Sequence, residues 1–248
     1  MSKALLVTGG GRGIGAATAR LAAERGWAVG VNYRRDRAAA EALVEHIARA
    51  GGRAVALGAD VSSEGEVLRL FDQAERALGP LAGLVNNAGI LERQARLEDI
   101  DAARLQRVFA VNVIGAFLCA REAVRRMSKR RGGAGGAIVN VSSLASVLGS
   151  PNEYVDYAAS KGALDTLTIG LAKEVAADGI RVNAVRPGFI YTEIHAAGGE
   201  PGRVDRVKDL VPMKRGGQPE EVARAILWLL SDEASYSSGT FIDVAGGR

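Results

Sequence analysis

Short runs rich in apolar and β-branched residues alternate with longer stretches of helical spacing along most of the chain. The runs are ALLVT, AVGVNY, RAVALG, GLVNN, AIVNVS, IRVNAV and TFIDV. Between them, the spacing predicts helices over residues 13–26, 36–50, 64–78, 98–130, 154–178 and 218–231. Parallel strands need crossover connections, and helices supply them along a right-handed path. The alternation therefore predicts an α/β fold: a doubly wound parallel sheet of about seven strands with helices on both faces.

The length of the chain and its single cysteine bound its organisation. A chain of 248 residues, 48% of them apolar, can bury a core without disulfides, so we expect one domain over residues 1–248. Cys119 is the only cysteine, which excludes an intrachain disulfide and a cysteine cluster for a metal. We find neither a secretory signal nor an apolar stretch of about 18 residues that would span a bilayer. We expect a cytoplasmic protein with no metal and no membrane partner.

The longest stretch without a strand pattern or a long helix pattern is residues 188–217. It follows a predicted strand and contains several glycines and two prolines. Long loops in compact domains are commonly functional. We therefore predict a mobile substrate lid over residues 188–217.

The net charge of +4 raises the question of a nucleic-acid partner. The densest basic group lies at the end of a predicted helix and consists of Arg121, Arg125, Arg126, Lys129, Arg130 and Arg131. Cations at this position complement the helix dipole and reach solvent easily. We interpret the group as a solvated helix end and expect no nucleic-acid partner, while docking of an acidic carrier protein there stays open.

A glycine-rich turn, TGGGRGIGAATA at residues 8–19, follows the first predicted strand and opens the first helix. Phosphate groups bind where backbone N–H groups are unobstructed and a helix dipole begins. The turn departs from the strict G-x-G-x-x-G spacing. Its position between strand and helix nevertheless favours the dinucleotide site of a Rossmann-type sheet over a purely structural turn. The predicted cofactor-binding residues are Gly9, Arg12, Gly13, Ile14 and Gly15.

The end of the second predicted strand, VNYRRDR, indicates which dinucleotide is bound. An acidic residue about 20 positions after the glycines commonly binds the ribose hydroxyls. Tyr33 occupies that position here, and Arg34 follows it. The guanidinium groups of Arg34 and Arg12 would attract a ribose 2′-phosphate, so we predict NADP, with NAD as the less favoured cofactor. The alternative, in which Asp36 binds the ribose and the arginines are only exposed, stays open.

The segment YVDYAASKGALDTL at residues 154–167 contains two candidate proton donors. On a helix, Tyr157 and Lys161 lie four residues apart on one face, whereas Tyr154 lies nearly two turns from the lysine. A phenol titrates near 10, so it needs a nearby cation in a partly desolvated cleft to act near neutral pH. We predict that Tyr157 is the acid in reduction and the base in oxidation. In the alternative, Lys161 only pairs with Asp165.

Two serines end the predicted strand AIVNVSS, at the carboxyl edge of the sheet where open α/β folds bind ligands. A serine hydroxyl at this edge can hold a substrate oxygen beside Tyr157. Alternation along a strand sends Ser142 and Ser143 to opposite faces, so only one of them can face the cleft. We predict Ser143, and Ser142 stays open as the alternative.

These motifs, in this order, resemble those of the short-chain dehydrogenase/reductase family, and the resemblance covers essentially the whole chain. TGGGRGIG is similar to the cofactor turn of that family and NNAG at 86–89 to its strand-four motif. VNV around Asn112 is similar to its helix-four asparagine and YAASK to its tyrosine-lysine pair. The resemblance implies hydride transfer between nicotinamide and a carbonyl or secondary alcohol. It also implies a catalytic tetrad of Asn112, Ser143, Tyr157 and Lys161.

The resemblance implies further contacts and one departure. Lys161 would hold the nicotinamide ribose and connect through water to Asn112. The other residues implied at the cofactor are Asp60, Val61, Asn86, Asn87, Ala88, Gly89, Tyr157, Pro187, Gly188, Ile190 and Thr192. The family serine usually lies thirteen positions before the tyrosine, where this chain has Leu144, so residues 144–156 are one residue longer.

The resemblance also bears on assembly and substrate. The terminal SYSSGTFIDVAGGR is similar to a segment that packs between subunits, which implies a homotetramer. VNYRR and YAASKGAL resemble the sugar-dehydrogenase branch, and 3-oxoacyl carrier-protein reductases share nearly as much, so the substrate stays open. Arg203, Arg206 and Lys208 would suit an anionic substrate or a solvated helix equally. A non-catalytic NADP-binding sensor is the alternative function.

Overall fold

A computed structural model describes residues 3–248. Its sheet has seven parallel strands in the order β3-β2-β1-β4-β5-β6-β7. The strands are β1 Ala4–Val7, β2 Ala28–Tyr33, β3 Arg53–Gly58, β4 Leu81–Asn86, β5 Gly136–Val141, β6 Ile180–Pro187 and β7 Phe241–Val244. The order reverses between β1 and β4, and ligands bind outside the carboxyl ends of strands at such a point. The predicted doubly wound parallel sheet is confirmed.

Helices cover both faces of the sheet. They are α1 Gly13–Glu24, α2 Arg37–Arg49, α3 Glu64–Leu78, α4 Ala102–Phe109, α5 Gly115–Met127, α6 Ala145–Leu148, α7 Val155–Val175, α8 Ile194–Ala197, α9 Arg203–Val207 and α10 Pro219–Leu230. Leu5 and Val7 of β1 pack with residues of α1, α2 and α10, whereas Ala4 and Leu6 pack with residues of α3, α5 and α7. All four side chains are buried. A strand with no polar face is stable only between two layers of helices.

The predicted helix over residues 98–130 is wrong in its start and in its continuity. α4 begins at Ala102, and Asp101 caps it by accepting a hydrogen bond from the N–H group of Arg104 at 2.6 Å. A turn of π-helix, Ala110–Ile114, separates α4 from α5. Such turns insert an extra residue into the winding and are frequent at functional sites. The spacing of apolar residues in the sequence does not predict this change from α-helix to π-helix.

Residues 188–217 contain more regular structure than the sequence predicts. α8 and α9 lie within this stretch, and Lys208–Leu210 forms a 3₁₀ turn. Val204, Val207 and Val211 are buried, so the stretch packs on the rest of the fold. Its mobility as a lid stays a prediction.

Two surface features bear on possible partners. The arginines at the end of α5 are largely paired within the fold, since the buried carboxylate of Glu122 accepts hydrogen bonds from Arg121, Arg125 and Arg126. Arg126 also donates to Asp72 on α3. Within residues 3–248, no helix has the length and apolar character needed to cross a bilayer.

Candidate active site

A cleft of about 1120 Å³ lies at the carboxyl ends of the central strands. Most of the residues that the sequence assigns to a site line it. They are Gly9, Arg12, Gly13, Ile14, Arg34, Asp60, Val61, Ala88, Gly89, Ser143, Tyr157, Lys161, Pro187, Gly188, Ile190 and Thr192. Gly15, Asn86 and Asn112 lie outside this lining. The parallel sheet brings these distant segments together because all its strands end at one edge.

The turn between β1 and α1 presents backbone to the cleft. Gly9 and Gly13 have φ angles of +59° and +52°, in the left-handed region that glycine adopts without strain. The first N–H groups of α1 have no partner within the helix. Gly15 acts through packing, because a Cβ there would lie 2.4 Å from the carbonyl oxygen of Gly9. This bare turn at a helix start fits a phosphate group.

Side chains after β4 hold the glycine turn in place. The Asn87 amide donates hydrogen bonds to the carbonyl oxygens of Thr8 and Gly9 at 3.0 and 2.9 Å. The Thr8 hydroxyl accepts hydrogen bonds from the N–H groups of Asn87 and Ala88 at 3.0 and 3.1 Å. Asn87 also lines the cleft, within the segment that the resemblance places along the ribose side of the cofactor.

Asn86 is a correction to the predicted cofactor contacts. Its buried amide donates to the carbonyl oxygen of Ala116 at 3.2 Å and to Oδ1 of Asn140 at 3.0 Å. The side chain therefore faces α5 and not the cleft. Neighbouring residues along a strand point to opposite faces, which leaves Asn87 on the cleft side. The alternation of side chains along a strand, applied to the NNAG sequence, is therefore the signal that distinguishes Asn86 from Asn87.

Ser142 and Ser143 have different surroundings at the end of β5. The buried Ser142 hydroxyl donates to the backbone carbonyl of Lys161 at 3.2 Å, so it is used within the fold. The Ser143 hydroxyl accepts a hydrogen bond from the N–H group of Ala145 at 3.1 Å and interacts with the phenol of Tyr157. The geometry favours Ser143 as the serine that shares a ligand with Tyr157.

Lys161 lies beside Tyr157 at the base of the cleft. Its ammonium group donates to the carbonyl oxygen of Val141 at 2.8 Å and lies 5.5 Å from the centre of the Tyr157 ring. Asp165 pairs with Arg186 instead, at 2.9 Å. The alternative in which Lys161 only pairs with Asp165 is therefore wrong.

Burial shifts the pKa values of both groups. It raises the pKa of Tyr157 to about 12, against the smaller opposing effects of the Ser143 hydroxyl and the Arg203 charge. It lowers the pKa of Lys161 to about 8, against the smaller opposing effect of the Asp165 carboxylate. These directions hold for the protein without its cofactor, so the expectation that Lys161, together with the charge of an oxidised nicotinamide, brings the phenol toward neutral pH stays a prediction. Desolvation disfavours the charged form of each group, the phenolate of Tyr157 and the ammonium of Lys161.

Asn112 lies in the π turn between α4 and α5 and is buried. Its Oδ1 accepts a hydrogen bond from the N–H group of Ile90 at 2.8 Å. Its amide nitrogen donates to the carbonyl oxygen of Ile90 at 3.0 Å and to the Ser160 hydroxyl at 3.1 Å. A Cβ added to Gly89 would lie 3.5 Å from Asn112 Oδ1 and 3.5 Å from Lys161 Nζ, so the three residues are neighbours. The side chain of Asn112 thus ties the loop after β4 to α7.

Arg34 and Asp60 form an ion pair at the end of the cleft formed by β2 and β3. Arg34 Nε lies 2.7 Å from Asp60 Oδ2, and 52% of the Arg34 side chain is exposed. Asp36 caps α2 by accepting a hydrogen bond from the N–H group of Ala39 at 3.1 Å. This use of the Asp36 carboxylate disfavours the alternative in which it binds a ribose.

Several residues outside the predicted catalytic and cofactor-binding set also line the cleft. Tyr154 is buried, and its hydroxyl donates to the carbonyl oxygen of Gly198 at 3.5 Å. His195 Nε2 donates to the carbonyl oxygen of Ile190 at 3.0 Å, and burial lowers the pKa of the imidazole. Phe189, Arg203 and Arg248 complete this side of the cleft. No spacing pattern in the sequence marks these residues as neighbours.

Known proteins resemble the chain over nearly its full length. Residues 9–248 match the family model described as Enoyl-(Acyl carrier protein) reductase. The uncharacterized oxidoreductase YgfF of Escherichia coli K12 is 63% identical over 243 residues, 98% of each chain. Glucose 1-dehydrogenase 2 of Bacillus subtilis is 40% identical over 246 residues, 99% of this chain and 94% of the relative. A crystal structure of a dehydrogenase/reductase from Sinorhizobium meliloti 1021 has a TM-score of 0.91 at 33% identity, covering 100% of this chain and 95% of that one.

A parallel seven-stranded sheet whose glycine turn, serine, tyrosine and lysine share one cleft defines a class of dinucleotide-dependent enzymes. The chain belongs to the short-chain dehydrogenase/reductase family. It is an oxidoreductase of a family that acts on alcohol or carbonyl groups and uses nicotinamide cofactors. The family predicted from the sequence motifs is confirmed.

Proposed function

We propose that the protein is an NADP(H)-dependent oxidoreductase that interconverts a carbonyl and a secondary alcohol, with Tyr157 as the general acid and base. One observation carries the proposal: the Tyr157 phenol, the Ser143 hydroxyl and the Lys161 ammonium converge in the cleft that the glycine turn also lines. A pure NADP-binding sensor does not need this convergence. The substrate oxygen would lie between Ser143 and Tyr157.

The cofactor would occupy the cleft from the ends of β2 and β3 to the end of β6. Backbone N–H groups of the glycine turn would bind its pyrophosphate, and the loop after β4, from Asn87 to Gly89, would follow its ribose side. The segment from Pro187 to Thr192 would contact its nicotinamide amide, and Lys161 its ribose. When bound, the nicotinamide supplies a hydride at C4.

The protein's own groups supply the proton and hold the oxygen. The Ser143 hydroxyl would orient the substrate oxygen, and Tyr157 would give it a proton in reduction or remove one in oxidation. Lys161 would stabilise the ionised phenol at close range. Asn112 would act as a positioning residue, since its side chain fixes Ile90 and the π turn next to Lys161.

The preference for NADP rests on Arg34 and Arg12, both of which line the cleft. A guanidinium group pairs strongly with a phosphate. Residues 1–248 are proposed to form a single cytoplasmic domain that assembles as a homotetramer, with residues 188–217 as its substrate lid.

The test is a cofactor-consumption screen over small ketones, aldehydes, sugars and acyl thioesters, with NADPH and NADH in parallel and NADP and NAD for the alcohols. Tyr157→Phe is expected to lower kcat by a factor of about 100 to 10,000, because it removes the proton donor. NADPH binding, measured by fluorescence, is expected to persist.

Tyr154→Phe is the matched control. It is expected to keep most of the turnover, since the Tyr154 hydroxyl faces the carbonyl of Gly198 and not the substrate oxygen. Substantial turnover by Tyr157→Phe would refute the assigned proton donor. Tight NADPH binding with no turnover of any compound would favour the sensor.

A further inference from the structure

One guanidinium group is buried in the wall of the cleft. Arg203, the first residue of α9, is only 6% exposed, although it belongs to a short helix on the outside of the sheet. It lines the same cleft as Tyr157 and is close enough for its charge to influence the phenol. A buried charge needs partners that repay its desolvation.

Aromatic rings and one carboxylate surround Arg203. Its guanidinium carbon lies 4.7 Å from the centre of the Tyr154 ring and 5.4 Å from that of Phe189. Its Nη2 donates a hydrogen bond to Glu153. Its Nε is buried and has no hydrogen-bond partner among residues 3–248. The rings hold the planar group in place, but they do not satisfy this donor.

Two carboxylates lie near Arg203 and are shared with Arg206. Glu153 is shared, because Arg206 also lies 3.7 Å from it, and Glu200 pairs with Arg206. Arg248 lies on Phe189, 4.6 Å from the ring centre. Within the part of the chain that the structure describes, no carboxylate lies within 4.0 Å of the Arg248 guanidinium.

Apolar side chains also line the cleft. Leu91, Leu144 and Leu148 line the cleft together with the rings of Tyr154 and Phe189. The glycine turn has different neighbours, since a Cβ at Gly13 would meet Thr192 and Glu193, not Arg203. The buried guanidinium is therefore placed toward the substrate end of the cleft and away from the expected pyrophosphate.

We propose that the substrate is a carboxylate-bearing carbonyl or alcohol with an apolar body, and that Arg203 binds its carboxylate. The inference rests on the proposed function, because it places the reacting oxygen at Tyr157. Arg203 lines the cleft, and its planar guanidinium suits a carboxylate. Arg203 is then the residue that determines specificity.

Paired compounds test the proposal: 4-oxopentanoate, 4-oxocyclohexanecarboxylate and 4-formylbenzoate, each against its methyl ester. For every pair that the wild type reduces with NADPH, kcat/KM is expected to be at least about 10-fold higher for the carboxylate. Arg203→Gln is expected to lower kcat/KM for the carboxylates by about 10- to 100-fold, the usual value of a hydrogen bond between charged groups. The esters are expected to change by less than about threefold.

Arg206→Gln is the matched control, because Arg206 lies on the same helix and pairs with Glu200. It is expected to leave the ratio of carboxylate to ester unchanged. If Arg203→Gln does not fold, the ratios of carboxylate to ester turnover in Arg203→Lys and in the wild type test the proposal instead. Arg203→Lys keeps the charge and is expected to keep part of the preference. In the NADPH-saturated wild type, benzoate is expected to raise Tm, and neutral benzamide is not.

Equal turnover of carboxylates and esters, or loss of both in Arg203→Gln, would overturn the inference and leave the proposed oxidoreductase function standing. A benzoate-dependent rise in Tm with no turnover of any pair would support the anion site and count against the proposed function. Absence of both responses would count against both.

Discussion

Two tyrosines only three residues apart have different surroundings, which decides their chemistry. Tyr154 is the residue immediately before α7, and its hydroxyl donates a hydrogen bond to the carbonyl oxygen of Gly198. Tyr157 lies one turn from Lys161 and interacts with Ser143. Helical spacing is enough to distinguish them. What spacing does not give is the balance between desolvation and charge, which the residues around α7 determine.

The buried Lys161 makes the stability of the cofactor-free protein depend on pH. Its pKa falls from 10.5 to about 8 on folding, so between these values the unfolded state binds more protons. The free energy of unfolding is therefore expected to rise between pH 8 and pH 10 and to gain at most about 3 kcal/mol by 10.5, at 1.36 kcal/mol per pKa unit. Tyr157 opposes this above pH 10, because its raised pKa keeps the proton in the folded state.

Urea unfolding of the cofactor-free protein at a series of pH values measures this effect. In Lys161→Met the rise between pH 8 and pH 10 is expected to disappear, because methionine does not titrate. The variant is also expected to be more stable than the wild type at pH 7, because it buries no charge. The loss of the hydrogen bond from Lys161 to the carbonyl oxygen of Val141 reduces this gain in the free energy of unfolding. If the free energies of unfolding of the two proteins changed with pH in the same way, the pKa of Lys161 would be equal in the folded and unfolded states. That result would contradict the prediction.

Arg34 is the residue on which cofactor choice is expected to depend. Arg34→Met removes the charge that would face a 2′-phosphate, so kcat/KM for NADPH is expected to fall about 10- to 100-fold. The value for NADH is expected to stay within about threefold. Steady-state kinetics with both cofactors measure the ratio. Arg37→Met is the control, because Arg37 is exposed and pairs with Glu41. An equal loss for both cofactors would contradict the assigned contact.

At the scale of elements, a buried ion pair fixes the start of α7 against α4. Arg104 donates to Asp156 through Nε at 2.7 Å and through Nη2 at 3.0 Å. Arg104 Nη1 also donates to the carbonyl oxygen of Arg93 at 2.6 Å, in the loop after β4. Asp156 directly precedes Tyr157. The pair therefore connects two walls of the cleft beside the proposed proton donor.

Breaking this pair is expected to cost both stability and turnover. Asp156→Asn leaves the buried guanidinium without its anion, which is expected to lower the free energy of unfolding by about 3 to 5 kcal/mol. Urea unfolding measures the loss, and kcat is expected to fall more than KM changes, since Tyr157 is displaced. Glu98→Gln is the control, because the exposed pair of Arg96 and Glu98 is worth less than about 1 kcal/mol. A loss as small as that of the control would show that the pair is dispensable.

At the scale of the molecule, apolar side chains are exposed on helices that flank the sheet. Ile114 and Phe117 are 53% and 47% exposed at the start of α5, and Trp228 on α10 is 39% exposed. Adjacent exposed apolar side chains commonly mark contacts between chains. The proposed homotetramer of four 25.8 kDa chains has a mass of about 103 kDa.

Light scattering is expected to give the tetramer mass for the wild type. Phe117→Glu places a charge on the exposed apolar patch of α5 and is expected to yield a smaller assembly. Leu68→Glu is the control, since Leu68 is an exposed side chain on α3, at 38%. A wild-type mass of one chain would contradict the proposed assembly.

The sequence by itself determined the order of strands and helices, the glycine turn, and the pairing of Tyr157 with Lys161 on one helix. These features depend on local periodicity and on backbone freedom, which neighbouring residues encode. Such signals do not describe winding changes such as the π turn at Asn112.

Only the tertiary structure decided which side chains face the cleft and how their charges are balanced. It placed Asn87 rather than Asn86 at the cleft, paired Asp165 with Arg186, and buried Arg203 between two aromatic rings. Burial, and therefore the pKa of Tyr157 and the free donor of Arg203, depends on segments far apart in the chain. Desolvation is a property of the packed whole, so no short stretch of sequence carries it.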